Sequence, residues 1–138
     1  MVKNPHKVLL DTNIVISSIL FGGKPRKIIK FIQEGKIISI ISSVLLAELN
    51  DVLVKKFKFT PNKLALVDDL MKENFMLVRP SHTIDILSDK DDNRVLEAAI
   101  EGECDYIISG DRDLLQLAKF HKTKNVTADT FLSDIFEN

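Results

Sequence analysis

A chain of 138 residues with 45% hydrophobic and 28% charged content is the size of one compact domain with an ordinary core, which argues against two domains. Nineteen Lys and Arg against 20 Asp and Glu leave a formal net charge of -1, so no global basic field advertises a nucleic-acid binder, although local clusters of either sign remain open. The single cysteine, Cys104, excludes an internal disulfide framework and fits a reducing, cytoplasmic setting; Met1-Val2-Lys3-Asn4-Pro5 has no signal-peptide pattern, and no apolar run reaches membrane-spanning length.

In chain order, Val8-Leu9-Leu10 is an apolar run of the kind that forms a strand buried on both faces, and it breaks off at Asp11-Thr12-Asn13. Ile14 to Leu20 reads as a short helix stopped by Phe21-Gly22-Gly23. Pro25 suits the first turn of a helix from Arg26 to Glu34, which Gly35 ends. Ile37 to Ile41 is a second β-rich run, and Ser42-Ser43 caps a helix from Val44 to Phe57. Pro61 opens a helix over Asn62 to Asn74, Phe75 to Val78 is a third strand ending at Arg79-Pro80, and a polar connection runs to Lys90. Asp91 or Asp92 begins the helix Val95 to Glu101, closed by Gly102, and Tyr106 to Ser109 is the fourth strand. Gly110 turns the chain into a helix from Asp111 to Phe120. Asn125 to Thr127 is a weak fifth strand before a last helix around Thr130 to Phe136. Strands alternating with helices at such short spacing predict an α/β fold with a parallel sheet of about five strands, covered on both faces. Ligands of such sheets sit beyond the carboxyl ends of the strands, near a reversal of strand order.

Four acids fall at that rim. Asp11 follows the first strand and Asp111 the fourth; each is also placed to cap the helix behind it. Glu48 lies four residues after Val44, three after Leu45 and four before Val52, so it shares the inward face of its helix and has no basic partner at helical spacing. Asp92 begins the inward face of Val95, Leu96 and Ala99. Asp51 and Lys55 form a solvent-facing (i, i+4) pair, Asp89 and Asp91 suit capping or solvent, and Glu97, Glu101 and Glu103 form an exposed acidic side. Asn93 and Arg94 are placed either to bind substrate or on the surface, and Asp113 to complement the helix dipole. Carboxylates brought close together repel unless a cation neutralises them. All-oxygen ligation favours Mg²⁺ or Mn²⁺ over Zn²⁺, and His6, His82 and His121 have no metal-ligand spacing.

Val8-Leu9-Leu10-Asp11-Thr12-Asn13, the Ser42-Ser43 helix with Glu48-Leu49, Asp91-Asp92-Asn93, Ser109-Gly110-Asp111-Arg112-Asp113 and the late Thr130-Phe131-Leu132 together resemble the successive motifs of a PIN-domain nuclease. The subgroup resembled is the one described as toxin components of toxin–antitoxin pairs. The resemblance implies a three-layer α/β/α fold around the parallel sheet and a metal-dependent ribonuclease site formed by Asp11, Glu48, Asp92 and Asp111. Asp113 is a secondary ligand in some relatives, and Asn13 and the Ser109 hydroxyl, where relatives commonly carry threonine, support the acids. The expected reaction is hydrolysis of an RNA phosphodiester by water activated by Mg²⁺ or Mn²⁺.

The resemblance also implies an antitoxin protein partner and association as a homodimer, with RNA as substrate and no membrane. Lysine and arginine groups at Lys24 to Lys30, Lys55 to Lys58 and Lys119 to Lys124 offer phosphate contacts or simply solvate helix ends. The helices around Lys27 to Ile32 and Leu64 to Met71 are candidate partner surfaces. Competing readings are a housekeeping RNA-processing nuclease, a receiver-like phosphoryl-transfer domain, for which a suitably placed late lysine is lacking, and a non-catalytic protein-binding module of the same fold.

Overall fold

The computed structural model describes residues 4–136. The reading of Met1-Val2-Lys3 falls outside the described residues. The chain runs β1 (His6–Leu10), α1 (Thr12–Leu20), α2 (Gly23–Gln33), β2 (Ile37–Ser42), α3 (Ser43–Lys55), α4 (Pro61–Asn74), β3 (Phe75–Val78), α5 (Lys90–Glu101), β4 (Tyr106–Ile108), α6 (Arg112–Leu117), β5 (Lys119–Phe120), β6 (Thr123–Val126) and α7 (Ala128–Phe136). Among the described residues the strands form one sheet of six in the order β3-β2-β1-β4-β6-β5, with only the β5–β6 pair antiparallel. Five parallel strands match the expected set; the sixth, β5, was not anticipated.

The sheet is mixed α/β because its central strands can be satisfied only by cover on both faces. Val8, Leu9 and Leu10 in β1 and Ile107 and Ile108 in β4 are buried, as continuous apolar runs in parallel strands require. Edge strand β3 differs: Met76 and Leu77 are exposed because β2 pairs it on one side alone. The chain moves outward from β1 through β2 to β3, then returns across the sheet through α5 to lay β4 on the opposite side of β1. Strand order therefore reverses between β1 and β4, and the carboxyl ends of those two strands flank the crevice.

Capping chemistry fixes where the site-bearing helices begin. Ser42 Oγ accepts from the Leu45 amide at 3.2 Å and starts α3 one residue earlier than the periodicity predicts. Asp89 accepts from the Asp91 amide at 2.8 Å and starts α5 at Lys90, which puts Asp92 in the first turn. At the other end of α5, Gly102 is required by close approach rather than by a left-handed turn: a Cβ there would stand 2.7 Å from Ile40 Cγ2. The neighbouring Glu103 takes the left-handed conformation, with φ 51°.

Two expectations are corrected. The helix predicted to run from Asp111 to Phe120 ends at Leu117, because Ala118 adopts φ 63° and the chain turns into the β5–β6 hairpin. Asn125 enforces this end: its side-chain amide donates to Leu114 O at 2.9 Å and its backbone amide to Ala118 O at 2.8 Å. Glu97, expected on an exposed acidic side with Glu101 and Glu103, is buried. It accepts from the Ile84 amide and from Arg94 Nη2, each at 2.8 Å, so the carboxylate is both paired and hydrogen-bonded.

Candidate active site

The reversal between β1 and β4 brings Asp11 and Asp111 to the same crevice, and one hydroxyl links them. Ser109, fully buried at the end of β4, donates from Oγ to Asp11 Oδ2 at 2.7 Å and accepts from the Asp111 amide at 2.8 Å. This bond, not conformational freedom at Gly110, closes the turn out of the sheet; Gly110 has open space where a Cβ would stand and no left-handed φ. Asp11 occupies the N-cap position of α1, yet its side chain makes no capping hydrogen bond. Asp111 does cap: its Oδ1 accepts from the Asp113 and Leu114 amides at 2.9 and 3.1 Å, which leaves the other oxygen outside the cap.

Asp92, Asp111 and Asp113 form the tightest group, each offering a carboxylate oxygen within 4.8 Å of the others. Asp92 is buried, Asp111 half-buried and Asp113 exposed. Asp113, expected as a secondary member, thus stands with the first two. Burial, followed by the Asp111 charge, holds the Asp92 carboxyl well above the usual carboxylate range. Burial likewise raises Asp11; the Ser109 hydrogen bond is the strongest opposing effect, and the Asp111 charge adds to the rise.

Glu48 approaches from the side. Half-buried on α3, it is pushed up to about 7 by burial and then by the charges of Asp91, Asp11 and Asp89. Asp89 and Asp91 therefore belong to the electrostatics of the site although their spacing suited capping or solvent alone. Asn13 is exposed in the first turn of α1, and its side chain makes no hydrogen bond to a described residue; its backbone amide, with that of Thr12, opposes the rise of the Asp11 carboxyl without closing a cap.

The donor set fits a hard divalent cation on a specific ground. Asp92 Oδ2 is buried with no hydrogen-bond partner among the described residues, although burying a charge is costly unless it is compensated. It belongs to an all-oxygen group in which burial and the Asp111 charge raise the Asp92 carboxyl and so favour bound protons there. A cation replaces those protons, and oxygen ligands suit Mg²⁺ or Mn²⁺. His6, His82 and His121 are exposed and lie outside the group, and Cys104 is buried with its thiol pushed up to about 12, chiefly by burial.

Around the acids, the connection from β3 to α5 is fastened to α5 by side chains spaced along that helix. Asn93 binds the backbone of Ile86 and Leu87, Arg94 and Glu97 that of Ile84, and Glu101 the amide and hydroxyl of Ser81. Asn93 and Arg94, open to a substrate role by sequence, are engaged in this fastening. An open cleft on the β2–β3 side of the rim is lined by Ser43, Arg79 and His82 among others, and spacing alone did not single out Arg79. A larger cleft, about 590 Å³, lies between α1, α2 and α4 and contains none of the acids.

A family model described as PIN domain matches residues 7–113, which include every acid of the site. Among solved structures, the chain is similar to the crystal structure of PAE2754 from Pyrobaculum aerophilum, at 15% identity and a TM-score of 0.59, over 97% of this chain and 91% of that one. That likeness shows the fold. Among curated proteins nothing matches.

Proposed function

Because the chain belongs to the PIN-domain family, whose members are generally metal-dependent nucleases, we propose that it is an endoribonuclease using Mg²⁺ or Mn²⁺ and acting as one nuclease domain over residues 1–138. The observation that carries this reading is the convergence of Asp92, Asp111 and Asp113, with the unpartnered Asp92 Oδ2 among them and Asp11 tied to the same crevice through Ser109.

Asp92 and Asp111 would hold the cation, Asp113 would join them from the first turn of α6, and Asp11 and Glu48 would complete the acidic wall. A divalent cation bound there supplies positive charge to a phosphodiester and acidity to an attacking water. Ser109 fixes the Asp11 carboxylate by donation and the Asp111 backbone by acceptance, so both acids keep their orientation as the strand is cut. Arg79 and His82 offer contacts to phosphates on the same rim, a positioning role without base readout.

The biological role follows the motif resemblance: toxin of a toxin–antitoxin pair, located in the cytoplasm, with a protein antitoxin and self-association as a dimer. Among the described residues no helix is long and apolar enough to cross a membrane. The partner reading rests on the cleft between α1, α2 and α4, which lies between the two candidate partner helices and carries Leu66 at 70% exposure on its lip. Copurification with native mass measurement tests partner and stoichiometry together.

The chemical test replaces Asp11 and Asp111 singly with Asn and follows divalent-metal binding and cleavage of single-stranded RNA. Both variants should lose cleavage by about a hundredfold or more, on the order of 3 kcal/mol of barrier. Unchanged cleavage in both, or full cleavage in chelator, overturns the proposal.

A further inference from the structure

The cleft that shares Asp113 with the acidic group carries an inference resting on the nuclease reading above. Ile86, Leu87 and Ser88 form one lip, and Asp113, Gln116 and Leu117 of α6 the other, around a volume of about 300 Å³, at the small end of ligand pockets. Ile86 is apolar yet 54% exposed, and Gln116 is exposed beside it. The first lip is rigidly placed. Buried Asn93 accepts from the Ile86 and Leu87 amides at 3.2 and 2.9 Å and donates back to Leu87 O at 2.9 Å. Asn93 adjoins Asp92, so one turn of α5 sets both the acid and the lip.

We propose that this cleft is a nucleobase subsite, in which the base adjoining the phosphate held at the acids lies between Ile86, Leu87 and Leu117 while the Gln116 amide reads its edge. A base has apolar faces and a polar rim, and the cleft offers apolar walls with one side chain that presents a donor and an acceptor together. Single-stranded bases are taken in this way when they are splayed from their neighbours, with apolar or aromatic side chains on their faces. Continuity with the acids through Asp113 sets the register: a phosphate at the cluster leaves its own nucleotide within reach of the cleft. A phosphate does not suit the cleft itself, since no cation lines it and the Asp113 carboxylate repels an anion.

Gln116→Ala and Ile86→Ala are exposed substitutions that test this in the full chain. Binding of labelled single-stranded RNA homopolymers of A, C, G and U is measured with Ca²⁺ in place of Mg²⁺, and cut ends from a random-sequence RNA are read with Mg²⁺ or Mn²⁺. The wild type should discriminate among the four homopolymers by roughly tenfold, the low end of what a two-point side-chain–base contact supplies, and both variants should flatten that to about twofold. The cut-end preference at one nucleotide beside the scissile phosphate should vanish with it. A wild type that binds all four equally, or variants that keep the full discrimination, overturns the subsite. Base discrimination lost in the variants with no cleavage by any of the three proteins supports the subsite and overturns the nuclease reading alone.

Discussion

Ser109 has no charge and no place in the acidic group, yet two of the acids depend on it. Its hydroxyl is fully buried, donates to Asp11 and accepts from the Asp111 amide, so a single oxygen serves both strand ends. Replacing it with Ala leaves a buried carboxylate short of a donor and a backbone amide short of an acceptor. Ser109→Ala should therefore lower stability by about 1–3 kcal/mol, seen as a lower urea midpoint at unchanged slope, together with weaker divalent-metal binding. An unchanged midpoint would mean that water replaces both bonds. Residues at this scale were legible in the sequence where periodicity sets direction. Asp11 and Asp111 stand at the ends of apolar runs, and Asp92 and Glu48 lie on inward helical faces. Asp113 joining the group was legible only through the motif resemblance, since its spacing equally fits the first turn of any helix. Glu97 was not legible, as its burial depends on Arg94 and on a backbone amide thirteen residues away.

At the scale of elements, α5 carries an acid at its start and a row of backbone grips behind it. Glu97 is the centre of that row, joined to Arg94 on its own helix and to Ile84 in the connection. Glu97→Ala should leave the Arg94 guanidinium with the Ile84 carbonyl but no carboxylate and free the Ile84 amide, at a cost of about 2 kcal/mol, in line with hydrogen bonds to charged groups. Amide hydrogen exchange should quicken at Ile84 and neighbouring residues of the connection while the β1 and β4 amides keep their protection. Equal acceleration throughout would show that the connection unfolds only with the whole molecule. Elements were readable from sequence wherever a cap or a breaker sits beside the periodic run, as at Ser42, Pro61 and Gly102. The end of α6 was not. No glycine or proline marks it, and Ala118 is held in a left-handed conformation by tertiary hydrogen bonds from Asn125, which local propensity does not register.

Across the whole molecule, a formal net charge of -1 conceals the fact that the fold gathers acids from β1, α3, α5 and α6 at one crevice. Folding does this because parallel strands leave all their carboxyl ends on one rim and the reversal at β1 and β4 opens a gap there. The consequence is a linkage between proton, cation and stability. Glu48 rises from 4.5 to about 7 on folding, and Asp11 and Asp92 shift in the same direction. Between about pH 4.5 and 7 the native state therefore holds more protons than the unfolded chain, and stability falls as pH rises through that window. A cation that replaces those protons reverses the slope, since its affinity grows as they leave. In chelator the melting temperature should decline from about pH 5 to pH 8, and Mn²⁺ at a hundred times its dissociation constant should restore about 2.7 kcal/mol at pH 8, on the order of 10 °C. Glu48→Gln should flatten the metal-free decline. Thermal unfolding at a series of pH values, with and without Mn²⁺, measures all three. A metal-free melting temperature that climbs over the same range, or a Mn²⁺ shift equal at pH 5 and pH 8, would mean that the acids keep their ordinary ionisation and that the crevice stores no charge for a cation to relieve.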